Sequence, residues 1–281
     1  MKYRLLPALL ILLGITLLFL IIDTVAGGMI VMRGFTTAHL RSFAVLQDLL
    51  VFILPAIITA LIVSTTPARL LAIDRSPSTA PILMALLAMV VAVPAMNFVI
   101  EWNESLSLPS AFSSIEAWMR SSEDAAQQSV EILMGGTSVS DLILGILIIG
   151  LFAALAEELY FRGTIMRMML CSGINPHVAI WVTAFIFSAI HVQFFGFFPR
   201  LLLGAFFGYL TFWRSSVWLS VITHAFNNSI VVITSWLERR GTIGHEIDTL
   251  GSENYILILA SVILTAGVIR AMKKHLFPTP K

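Results

Sequence analysis

Apolar residues in this chain do not alternate with polar ones; they run in long blocks broken by short polar stretches. A helix needs about 20 predominantly apolar residues to cross roughly 30 Å of hydrocarbon. Its backbone groups must then bond within the segment, since lipid offers no partners. Eight blocks approach that length: approximately Leu5–Ile22, Phe43–Val63, Ala80–Ile100, Leu142–Phe161, Val178–Phe195, Leu201–Phe212, Val217–Leu237 and Tyr255–Ile269, the sixth being the shortest. Lys2 and Arg4 precede the first block as they would a secretory signal. No small-x-small cleavage site follows it, however, and the run is long for a signal core, so it predicts a retained helix. The expectation is an all-α polytopic membrane protein with about eight transmembrane helices.

The longest polar interruption runs from Glu101 to Asp141. Within it, Ser113 and Glu116 have capping-box spacing. Ile115, Trp118, Met119, Ala126, Val130 and Leu133 then recur at helical spacing up to Gly135-Gly136. This predicts an amphipathic helix lying flat on the outer membrane surface, or alternatively a lid or substrate-docking element.

Composition supports the membrane class and narrows the rest. Of 281 residues 58% are hydrophobic and 12% charged, against roughly 25% charged in soluble domains. This excludes a disordered chain and an ordinary soluble enzyme, and a net charge of +1 leaves no field for nucleic acid. A single cysteine, Cys171, excludes an internal disulfide and any multi-cysteine metal site. With a cytoplasmic N-terminus, 11 of the 17 Lys and Arg residues fall inside and 6 (Arg33, Arg41, Arg120, Arg200, Arg239 and Arg240) fall outside. The positive-inside bias therefore predicts cytoplasmic termini, in a plasma (inner) membrane.

Ionisable residues within a span cost about 2.5–3.5 kcal/mol or more, so each needs a reason. They cluster here: Glu157 and Glu158 in LAEELYFRG, His191 in FIFSAIH, His224 and Asn228 in THAFNNS. Asp48 and Asn97 read instead as solvated helix ends. Glu158 and Arg162 are four apart with the acid first, the favourable order for a pair on one face. Glu157 points about 100° away and is left to meet other helices. His224 with Asn228, and Phe187 with His191, repeat the spacing of four. If the fourth helix turns at Ser172-Gly173-Ile174 and Asn175-Pro176 opens the next, Glu157 and His191 lie level, about 25 Å from the turn. A carboxylate, two imidazoles and an amide can then line an intramembrane polar cavity near the cytoplasmic face.

Glu157-Glu158-x-x-x-Arg162, Phe187-x-x-x-His191 and His224-x-x-x-Asn228, in that order, resemble the motifs of the CPBP family, the CAAX-protease and bacteriocin-processing (Abi) intramembrane peptidases. The resemblance implies an eight-helix fold with a water-filled cavity open to the cytoplasm, and a catalytic core over residues 140–237. Residues 1–139 then hold the first three spans and the external helix, and 238–281 an external loop, the last span and a basic tail. It further implies an endopeptidase acting on membrane-associated proteins or peptides. Glu157 would activate water, His191 and His224 would surround it, and Asn228 would stabilise the oxyanion, with Glu158, Arg162 and Phe187 in support. Glu157, His191 and His224 could also hold zinc with one position open, and a metal-free route through Glu157 fits as well. The alternative readings are a non-catalytic scaffold, a bacteriocin-immunity protein or a transporter.

Other signals carry less. His245-Glu246 begins like a zincin motif, but Thr249 stands where the second histidine is required. Gly204-x-x-x-Gly208 predicts close packing inside the bundle. Trp181, Trp213, Trp218 and Trp236 read as interfacial anchors, and His39, His177 and His275 as solvated.

Overall fold

The computed structural model describes residues 4–32, 34, 36–244 and 249–276, and every regular element among them is helical. His245 and Glu246 lie outside the described residues, as do Lys2, Arg33, Lys281 and the side chain of His275. The first helix, α1 (Leu5–Met32), has 28 residues and is apolar round most of its surface. Thr36 then caps α2 (Thr37–Val63) by accepting from the His39 amide at 3.2 Å. Pro55 has no amide hydrogen to give its helix, and the backbone just before it, Asp48–Ile53, opens into wide π-type turns. The third predicted block divides into α3 (Thr79–Val91) and α4 (Val93–Glu104), bent by 51° at Pro94.

The amphipathic helix is present as α5 (Ser113–Met134), ending at Gly135 with φ +79°. Its capping box does not form. Glu116 instead accepts from the Leu108 amide at 2.8 Å and from Arg120 at 2.7 Å. Those bonds, Arg120 first, hold its carboxyl below the usual range. Next comes α6 (Val139–Cys171), continuous for 33 residues but with π-type turns on both sides of Glu157-Glu158. Asn175 caps α7 (Pro176–Ala189) by accepting from the His177 amide at 2.9 Å. After a tight turn come α8 (Phe197–Arg214), α9 (Trp218–Arg239) and α10 (Tyr255–Leu276).

All eight predicted blocks contain helix, but fewer than eight qualify as spans by length and composition. Among the described residues five helices are long and apolar enough to cross a membrane, or six if the bent α3–α4 pair counts as one. The chain is an integral membrane protein on that basis. With 14 residues, α7 is about 21 Å long and falls short of the hydrocarbon thickness. Long enough at 22 residues, α9 carries Ser220, Thr223, His224, Asn227, Asn228 and Ser229, and these lower its apolarity.

The helices that build the site pack tightly. A Cβ on Gly208 of α8 would lie 2.9 Å from Ile180 of α7, and one on Gly204 would lie 3.2 Å from both Arg162 and Phe187. This glycine pair is an internal contact. At one end of the bundle Leu5 and Leu9 of α1 join the cluster around Met168 and Met169, at the end of α6. At the other end Arg41 of α2 binds Leu133 O, Met134 O and Asp141. The indoles of Trp218 and Trp236 donate to Ile73 O and Ser138 O within the protein. Asp48 and Asn97 are buried rather than solvated.

Candidate active site

The middle of α6 carries both acids, and the two point to different neighbours. Glu158 is fully buried, and its Oε1 accepts from Arg162 Nη1 at 2.7 Å one turn on. Arg162 is equally buried; it donates to Gly204 O at 2.9 Å and lies over the Phe187 ring at 4.5 Å. The sequence spacing accounts for that pair but conceals a second bond: His224 Nδ1 of α9 lies 3.0 Å from the same Glu158 Oε1. Glu158 therefore fixes an imidazole as well as neutralising a guanidinium. Phe207 stacks on the other side of His224, with ring centroids 4.8 Å apart.

Glu157 faces about 100° away, into a cavity of about 360 Å³. Its carboxylate oxygens lie 3.7 Å from His224 Nε2 and 4.0 Å from His191 Nε2. His191, just past the end of α7, has its Nδ1 2.7 Å from Phe187 O, and the Phe187 ring meets it edge-on at 5.1 Å. Both Nδ1 atoms thus have an acceptor, so each imidazole, when neutral, turns its Nε2 lone pair toward Glu157. Asn228, one turn beyond His224, lines the same cavity. Its amide donates to Ile149 O at 3.2 Å and accepts from Asn227 at 3.3 Å, which leaves the second N–H of Asn228 uncommitted among the described residues.

The fold thus brings Glu157, His191, His224 and Asn228 around one cavity, with Glu158, Arg162 and Phe187 packed behind them. Sequence reasoning missed Asn227, Arg200, Glu104 and Glu123, which line it too. Arg200 was read as an external loop charge. It is bound by Gln193 Oε1 at 2.8 Å, and Glu123 and Glu157 are the carboxylates that bear on its charge. The available signal was an arginine set between the apolar runs of residues 194–199 and 201–203. Nothing in the sequence distinguishes Glu123 from the other acids of α5.

Two imidazole nitrogens and a carboxylate are zinc-type donors, and the acceptor on each Nδ1 is the outer-shell contact that zinc-bound histidines use. The spacing does not match. Metal bonds of about 2.0–2.1 Å in a tetrahedron bring ligand atoms within about 3.3 Å of one another, whereas Glu157 stands 3.7 and 4.0 Å from the nitrogens. Among the described residues no group of three or more His, Cys, Asp or Glu is placed to hold a metal ion. As arranged, these residues do not fit the zinc expectation, and no step below passes through a metal.

Residues 139–230 match the family described as Type II CAAX prenyl endopeptidase Rce1-like. That stretch contains every motif residue from Glu157 to Asn228, so the resemblance to the CPBP and CAAX proteases is borne out. No curated protein and no solved structure matches the chain.

Proposed function

We propose that the chain is an intramembrane endopeptidase of a plasma membrane, hydrolysing peptide bonds of membrane-associated proteins or peptides. The observation that carries this reading is the Glu157 carboxylate facing two imidazole Nε2 atoms inside a cavity walled by helices. A water held by Glu157 gives it a proton and attacks the substrate carbonyl, forming the new C–O bond. Charge develops on the carbonyl oxygen, where the second N–H of Asn228 donates. The C–N bond then breaks as Glu157 returns the proton to the leaving amine. His191 and His224, whose Nδ1 atoms are held, accept hydrogen bonds through Nε2 and keep the water and the protonated Glu157 aligned.

Peptide cleavage by purified protein in detergent tests this. Because a base of this kind contributes about 10²–10⁴-fold, Glu157→Gln is expected to lose that much turnover while unfolding at the wild-type temperature. Wild-type turnover in a folded Glu157→Gln protein would overturn the mechanism. A folded wild-type protein that leaves a panel of membrane peptides uncut would favour the scaffold or immunity reading.

A further inference from the structure

We infer that the cavity is served from the non-cytoplasmic side of the membrane, so that its substrates are peptides or proteins presented on that face. The word substrate here rests on the peptidase reading; the orientation does not.

Exposure rises in one direction through the site. The side chain of Glu158 is 0% exposed, His224 7%, Glu157 16% and His191 26%. Beyond them Glu104 is exposed. Below Glu158 the way is closed, for Thr211, Ser216, Val217 and Ser220, between the site and the α8–α9 turn, are all 0% exposed. The cavity has a sealed floor and a mouth.

The mouth lies at the α5 end of the bundle. Asn103, at the end of α4, accepts from the Phe198 amide at 2.8 Å and donates to Phe194 O at 3.1 Å, which holds the α7–α8 turn there. Above that turn lies α5: Glu123 accepts from the Phe195 amide at 3.1 Å, and Trp118 meets Phe194 at 5.3 Å. The floor lies at the other end, where Arg167 binds Arg69 O and Leu70 O, Arg214 binds Ser78, and Ser216 binds Arg75 O.

That floor end is the basic one. Arg4, Arg69, Arg75, Arg167, Arg214, Arg270, Lys273 and Lys274 gather there, because Leu5 packs by Met168 and Met272 by Leu219. At the mouth end the described basic residues are fewer: Arg41, Arg120, Arg200, Arg239 and Arg240. Short loops rich in Lys and Arg stay in the cytoplasm. The basic floor therefore faces the cytoplasm and the mouth faces away from it. The CPBP resemblance implies the reverse, a cavity open to the cytoplasm. A prenylated tail arriving from the cytosol would meet the floor.

Labelling of intact cells with a membrane-impermeant maleimide, in a Cys171→Ser background of the full chain, tests this. Glu104→Cys and Ser105→Cys report the mouth, and Arg75→Cys the floor. The expected result is that both mouth probes label in intact cells and the floor probe labels only after permeabilisation. Mouth probes that label only after permeabilisation overturn the inference. The readout needs no cleavage, so it fails separately from the peptidase reading, which the Glu157→Gln assay decides.

Discussion

Glu158 is enclosed by Arg162, His224 and the floor of the site, whereas Glu157, one residue earlier on the same helix, looks into an open cavity. A buried carboxylate is tolerated where a guanidinium neutralises it and an imidazole N–H bonds it, and it then serves as structure. A carboxylate that faces two imidazole Nε2 atoms across an open cavity is placed to take a proton from a water molecule. The difference arises because one helical step turns a side chain by about 100°. The acid pair is one motif in sequence and two regions in space.

The stability counterpart of the Glu157→Gln assay is Arg162→Met, which leaves Glu158 buried without its cation. Breaking such a pair costs about 3–5 kcal/mol, so a marked fall in thermal midpoint and yield is expected in detergent. The double variant Glu158→Gln/Arg162→Met should recover part of that loss, because no charge is then stranded. An Arg162→Met protein as stable as wild type would break the contrast between floor and cavity.

Asn228→Ala acts on the cavity side alone. Loss of one oxyanion donor costs about 10²–10³ in turnover, or about 2.7–4 kcal/mol. Single-turnover rates should fall by that factor, with substrate affinity and any zinc found by elemental analysis unchanged and the thermal midpoint lowered only by the lost bond to Ile149 O. Zinc that disappears with Asn228 would make this residue part of a metal site instead. A smaller effect is expected where the walls meet. Gly208→Ala pushes a Cβ toward Ile180, and overpacking of this kind costs about 1–3 kcal/mol, read as a lower midpoint with turnover per folded molecule retained.

The smallest effect is on α5. Arg120 and the Leu108 amide hold the Glu116 carboxyl below its usual range. A depressed carboxylate contributes stability above its unfolded pKa and loses it as pH falls through the folded value. Amide exchange in α5 should therefore quicken only at pH well below the ordinary carboxylate range. Salt should reduce the contribution, since the pair is exposed.

Local rules settled much of this protein before any fold was known. Hydropathy set the membrane class, because backbone groups in lipid must bond within their own segment. The spacing of four paired Glu158 with Arg162 and aligned Phe187 with His191. Rare ionisable and amide groups in apolar blocks marked Glu157, His191, His224 and Asn228. Every one of these properties lies within one turn or one helix. Tertiary packing decided the rest. Whether α7 and α9 count as spans depends on neighbours that cover their short length or polar face. Glu116 left its capping box because the loop fold brought the Leu108 amide beside it, while Arg120 one turn on held its other oxygen. The bond from His224 to Glu158 spans 66 positions. Arg200 and Glu123 entered the cavity only when α5 was laid over the α7–α8 turn. The direction of the mouth, finally, is a property of which helix ends are sealed, and no periodicity along a single helix encodes that.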